Sequence, residues 1–218
     1  MKQEQAVEIL KVLRKATKDL PEPMSVIIAR EYHKDPFLLL INCLLSLRAK
    51  DLKTLPVSRK LFSLAKTPQD FVEMPLTQLE KLIYSIGFYK QKARMIHSVS
   101  KELIERFNGK VPINRKDLLS IKGVGPKTAS LILSMAFNIP AICVDVHVHR
   151  LANLLGLVQT KTPFETEVAL EKLLPRQYWV ETNHLFVKLG QNIPTIVPRL
   201  PKEIQRALKP VIPHLVKI

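Results

Sequence analysis

Apolar residues recur at three- and four-residue spacing along nearly the whole chain, and this rhythm restricts the fold more than any other feature. Ala6, Ile9, Leu10 and Leu13 follow it, as do Leu79, Leu82, Ile83 and Ile86. So do Ala129, Ile132, Leu133 and Ala136, and again Val148, Leu151, Ala152 and Leu155. Such spacing gathers the apolar side chains into one stripe on a helix, which must then be buried against a neighbour. The punctuation agrees. Asn108-Gly109 closes a helix ending at Phe107, and Gly156 follows the 148–155 pattern. Thr162-Pro163-Phe164-Glu165 has the form of a capping box with proline at the first helical position. Most of the sixteen prolines fall between the periodic segments, and there is neither an internal repeat nor a low-complexity tract. The reading is an all-α protein built of many short helices.

One segment resists this. "CVDVHVHR" (143–150) alternates apolar and polar residues, which reads locally as a strand. As a strand it would put Asp145, His147 and His149 on one face, where they could bind a metal. As a helix it would separate His147 from His149 and leave Asp145 and His149 close. Asp145 then has three readings: an N-cap, a metal ligand, or the carboxylate partner of a nucleophile elsewhere. The spacing from Val148 to Leu155 favours helix.

Charge narrows the partners. Thirty-four basic and nineteen acidic residues give a net charge of +15, which favours a polyanion. Nucleic acid comes first and an acidic membrane surface second, but no basic amphipathic anchor stands out. The longest apolar run, "FLLLINCLLSL" (37–47), is too short to span a bilayer and suits a buried helix. The N-terminus lacks a signal-peptide core, so the expected setting is cytoplasmic. Cys43 and Cys143 are too few for a disulfide framework or a four-thiolate metal site.

The stretch "LLSIKGVGPKTASLILSMAF" (118–137) carries the most chemistry. "IKGVG" between two helical patterns is a tight turn, in which Gly123 and Gly125 can take positive φ and admit another backbone. Pro126 then starts a helix whose free N–H groups suit phosphate oxygens. A Walker A loop would need glycine directly before Lys127, and proline stands there. A helix–hairpin–helix gripping a nucleic-acid backbone fits better, although a ligand-free helix turn has the same outline. Lys127 lies in the first turn, where the helix-end potential disfavours an ammonium ion; burial against a substrate would lower its pKa further and make it a nucleophile. A solvated surface lysine is the alternative.

Taken together, these segments resemble the endonuclease III family of DNA glycosylases in the helix–hairpin–helix superfamily. "DPFLLLINCLLSLRAKD" (35–51), "IGFYKQKA" (86–93), "NGKVP" (108–112), "LLSIKGVGPKTAS" (118–130) and "VDVHVHRLANLLGL" (144–157) follow in the family's order, over roughly residues 35–190. The resemblance implies two helical domains, a six-helix one over 28–140 and a discontinuous one from 1–27 and 141–218, with the substrate groove between them. It implies a bifunctional DNA glycosylase and abasic-site lyase of base excision repair. Such an enzyme removes oxidised pyrimidines and cuts 3′ to the abasic site by β-elimination. Lys127 would be the catalytic lysine and Asp145 the catalytic aspartate.

For the DNA contacts, the resemblance assigns the hairpin Gly123, Gly125 and Pro126, together with Lys92 and His147. Phe88 takes the place of the apolar wedge, and Arg48 replaces the family's glutamine in the segment that fills the flipped base's gap. A monovalent cation would sit at the hairpin carbonyls. The partner would be double-stranded DNA holding damaged bases or abasic sites, with no membrane, and the protein a monomer at a bacterial nucleoid. The family's four cluster cysteines are missing: Pro194 falls near the first ligand position, so no [4Fe–4S] cluster is expected. The segment 197–218 is expected to pack as proline-bounded helical turns, with Arg199, Lys202 and Lys209 facing phosphates. A catalytically silent, structure-selective DNA-binding protein is the alternative, which Arg48 keeps open.

Overall fold

The computed structural model describes residues 1–49, 51–193 and 200–213. Among them every regular element is helical. Contacts divide the chain into two units, Met24–Asn138 and Met1–Pro23 with Ile139–Ile218.

In the first of these, the apolar run becomes helix α3 (Pro36–Ser46), capped by Asp35, whose side chain accepts from Leu38 N, and buried from Phe37 to Leu45. A helix apolar on every side must be surrounded. Its neighbours are α2 (Met24–Glu31), α4 (Asp51–Phe62), α7 (Tyr89–Phe107) and α9 (Pro126–Met135). Where the sequence reading expects six helices, α2 to α9 occupy this unit. Short pieces account for the surplus. Thr67 and Asp70 form a reciprocal capping box that starts α5 (Pro68–Glu73), and Pro75 starts α6 (Leu76–Leu82). The Leu79–Ile86 stripe also overruns its helix: α6 stops at Leu82, and Ile86 N reaches back to Ile83 O (2.9 Å) in a turn. Helix α7 ends as anticipated, with Asn108 and Gly109 both left-handed (φ 52° and 74°).

In the other unit α1 (Gln3–Ala16) packs against α12 (Trp179–Gln191), which also packs against α10 (Val146–Leu154), and α11 (Pro163–Leu173) lies against α10. A 3₁₀ turn, Arg176–Tyr178, precedes α12. Ala6, Ile9, Leu10 and Leu13 are fully buried there beside Val148, Leu151 and Phe186. The capping box at α11 is only half formed. Thr162 Oγ1 accepts from Glu165 N (3.2 Å), but the Glu165 carboxylate accepts from Lys161 N (2.8 Å) rather than from Thr162.

Helix α13 (Lys202–Leu208) follows, and Leu200, Ile204, Leu208 and Ile212 complete this core. Lys202 and Lys209 are exposed. Pro194 and Arg199 lie outside the described residues.

Candidate DNA-processing site

The hairpin is built from α8 (Arg115–Ser120), the turn 121–125 and α9. Asn114 caps α8 by accepting from Asp117 N (2.9 Å), and Arg115 Nη1 donates to Ser130 Oγ (2.5 Å), tying α8 to α9. Ile121 and Val124 are buried and pin the turn from below, while Val124 N donates to Ile121 O (3.0 Å). Lys122 and Gly123 are left facing outward.

The two glycines serve different ends. Gly123 has φ +98°, the left-handed region, and a Cβ there would meet Met95 Sδ at 2.8 Å. Gly125 departs from the expectation of positive φ: it is extended (φ −92°, ψ 176°) as the N-cap of α9. Among the described residues nothing lies within 4 Å of where its Cβ would be. The protein's own packing therefore gives no reason for glycine at 125, whereas a ligand pressed onto the backbone would. Having no side chain, Gly125 gives α9 no side-chain cap, so first-turn amides stay available to an anion. Pro126 occupies the first helical position, where a missing N–H costs nothing.

Lys127 follows at the second helical position and is exposed. It lies near enough to Cys43 in α3 to act on its thiol. Burial pushes that thiol up to about 12, with the Lys127 charge pulling the other way. Cys43 is thus a protonated core residue. Beside the hairpin, Gln91, Arg94, Met95 and Ser98 of α7 join Lys122 and Gly123 around a cleft of about 450 Å³. Two exposed cations line it, as suits a polyanion. Sequence reading missed Arg94 and Lys122; the buried stripe of α7 could have shown that it leaves Arg94 outside, but it says nothing of Lys122 in the hairpin turn.

Phe88 is 62% exposed and sits at the N-cap of α7 with a left-handed φ of 60°. Arg48 is also exposed and left-handed, at 52°. Lys92 is a correction. Placed among the DNA contacts by its position in "IGFYKQKA", it is 3% exposed and donates through Nζ to Leu45 O (2.7 Å). A lysine turned into the protein cannot hold a phosphate. Burial lowers its pKa to about 8.

In the other unit, "CVDVHVHR" resolves as an extended lead-in followed by a helix. Asp145 caps α10, with Oδ1 accepting from His147 N and Val148 N, both at 2.9 Å. The cap occupies one carboxylate oxygen and leaves Oδ2 uncommitted among the described residues. A cap and a reactive carboxylate are therefore compatible in one side chain.

The histidines part company. His147 packs against Gly190 of α12, where a Cβ would fall 2.6 Å from its Nδ1, and among the described residues that buried nitrogen has no hydrogen-bond partner. This contact is internal to the unit. His149 Nδ1 meets Thr166 Oγ1 (2.7 Å). Among the described residues no three His, Cys, Asp or Glu side chains group as a metal would need. The face proposed for Asp145, His147 and His149 is dissolved by the helix.

The residues present do not fit a [4Fe–4S] cluster. The 218 residues hold two cysteines, both buried, one in each unit, where four thiolates are needed. The hairpin turn offers backbone oxygens, a donor type that suits a hard cation. No helix among the described residues is long and apolar enough to cross a membrane.

Residues 41–176 match the profile of the HhH-GPD superfamily of base excision DNA repair proteins. The chain is 45% identical over 159 residues to endonuclease III of Thermotoga maritima, covering 73% of this chain and 75% of that one. It is similar to the protein in a non-covalent endonuclease III–DNA complex, with TM-score 0.81 and 33% identity over 96% of this chain and 99% of that one. It also resembles the protein of a trapped endonuclease III–DNA covalent intermediate, with TM-score 0.79 and 32% identity over 95% and 99%. Fold, hairpin and relatives agree: the chain belongs to the endonuclease III family of the HhH-GPD superfamily.

Proposed function

We propose that this protein is a bifunctional DNA glycosylase and abasic-site lyase acting on damaged double-stranded DNA. One observation carries the reading. An exposed lysine stands one residue into α9, directly behind a glycine turn whose backbone is open to a ligand. The relative trapped as a covalent DNA intermediate supports a covalent route.

The hairpin binds first. Amides at the start of α9 receive a phosphate, and Lys122 and Arg94 extend the positive surface alongside. This contact is indifferent to sequence. Phe88 enters the base stack as an apolar wedge, and Arg48 fills the space left as the damaged nucleotide turns out. An oxidised pyrimidine suits the exchange, because a base that has lost aromaticity stacks poorly and costs less to extrude.

The chemistry then needs a nucleophile and a carboxylate. Lys127 Nζ, as the free amine, attacks C1′, and the bond from C1′ to the base breaks with its electrons leaving on the base. The sugar ring opens as the amine loses a proton, giving a Schiff base between Nζ and C1′. Asp145 Oδ2 stabilises the positive charge that develops on the sugar and takes the amine proton. Loss of a C2′ proton next expels the 3′ phosphate oxygen, which cuts the strand. Hydrolysis of the imine frees Lys127. No metal or redox partner is required by this balance.

Borohydride reduction during reaction with an abasic-site duplex tests the proposal. A covalent adduct, formed equally with chelator present and missing from Lys127→Gln, is the expected result. Tight duplex binding with no adduct from the unaltered chain would turn the reading to a catalytically silent DNA-binding protein.

A further inference from the structure

Arg48 and Phe88 share a backbone peculiarity. Each is exposed and bulky, and each holds the left-handed φ that residues other than glycine rarely adopt. Around Arg48, Ala49 N donates to Ser46 O (3.0 Å), and Leu47 has φ −54° and ψ 117°. These are the marks of a type II turn, with arginine where glycine is usual. Phe88 is lifted by the same kind of strain at the mouth of α7. Strain of this sort persists only when neighbouring structure holds it in place.

Lys92 touches both displays. Its backbone N donates to Phe88 O (3.0 Å), in the first turn of α7. Its Nζ donates to Leu45 O (2.7 Å), in the last turn of α3 and three residues before Arg48. The side chain is almost wholly buried, and among the described residues no carboxylate pairs with it. Burial alone drives its pKa down. An apolar side chain of similar length would fill the same space without desolvating an amine. What lysine adds is the strut to Leu45 O, where a cation also meets the negative end of α3.

We propose that Lys92 is a positioning residue that holds the Arg48 turn in fixed spacing from Phe88, so that the two enter the base stack as one two-pronged device. The proposal rests on the glycosylase and lyase reading above. Its consequence is selective. Lys92 matters where a duplex must be opened and is irrelevant where there is no stack to open.

The experiment compares Lys92→Met and Lys92→Arg with the unaltered chain on two substrates, an abasic-site duplex and the same abasic strand alone. A 2-aminopurine beside the abasic site reports unstacking. Lys92→Met should lose about tenfold in duplex cleavage at saturating DNA, along with the 2-aminopurine brightening, and keep its single-strand cleavage. Lys92→Arg, which retains a donor for Leu45 O, should recover most of both duplex signals. Equal losses on duplex and single strand would overturn the proposal by assigning Lys92 a merely structural role. Full duplex activity in Lys92→Met would overturn it as well. Should the unaltered chain cleave neither substrate, the enzymatic reading fails. The 2-aminopurine signal then decides the strut alone, its loss in Lys92→Met upholding it and its retention refuting it.

Discussion

Replacing Lys92 by methionine should change how stability depends on pH, and the size of the change follows from where the amine sits. Burial lowers the Lys92 pKa to about 8 in the folded chain, against roughly 10.4 for a free lysine. Between those values the unfolded chain binds more protons than the folded one, so stability rises with pH. The penalty for burying the ammonium ion is fully present below about pH 8 and vanishes above about pH 10.4. Integrating from about pH 7 to about pH 10 gives a gain on the order of 2 kcal/mol that Lys92→Met cannot show. Near neutrality the two chains should be close in stability. Methionine escapes the desolvation cost but leaves the buried Leu45 carbonyl without its donor, a loss of about 1–3 kcal/mol. Urea unfolding of both chains at each pH measures the difference directly. Parallel pH dependences would refute the account, because they would mean the amine is solvated or paired in the folded state.

Four further outcomes are expected. Gly125→Ser should keep or slightly raise thermal stability, since serine is a good N-cap and the space is open; its affinity for duplex DNA in a titration should nevertheless fall severalfold. Leu208→Ala removes a fully buried side chain of α13 and should cost about 2–5 kcal/mol in unfolding experiments. Chelator should leave the native chain's melting temperature unchanged, because apolar side chains of α13 complete this core. At Glu22, burial opposes ionisation but is outweighed by Lys188 and His184, so its pKa is lowered. That stabilisation is present above the ordinary carboxylate pKa and fades as pH falls through the lower folded value. Glu22→Gln should therefore flatten the acid limb of a melting-temperature profile, and an unchanged limb would contradict the pairing.

Much of the fold was legible because helical spacing is a local signal. The stripes in α1 and α10 mark faces that the structure buries. Two failures show what spacing does not carry. The pattern at Leu79–Ile86 ran past its helix, because apolar positions in a following turn can fall in register by chance. Lys92 fails in the opposite sense. It stands four residues before Ile96 and seven before Val99, on the buried side of α7. Register places it inside, whereas its position in the family-like motif "IGFYKQKA" pointed towards DNA. Asp145 was ambiguous for a different reason. Alternation in "VDVHV" is shared by strands and helix starts, and only the two amides bonded to Oδ1 decide between them.

Site chemistry was readable where it depends on residue type and order, and opaque where it depends on space. Lys127 behind "GVGP" could be named from the sequence. That Gly123 is required by a left-handed backbone, and Gly125 by no contact among the described residues, could not. The cleft of Lys122 and Arg94 likewise needs α7 and the hairpin side by side, although the two residues are far apart in sequence.

The central claim is that Lys127 itself bonds to the sugar. Borohydride-trapped adduct on an abasic duplex, digested and mapped by mass spectrometry, tests this most directly. The account predicts a sugar remnant on the peptide containing Lys127 and on no other. A remnant on another lysine, or on the N-terminal amine, in the unaltered chain would contradict it.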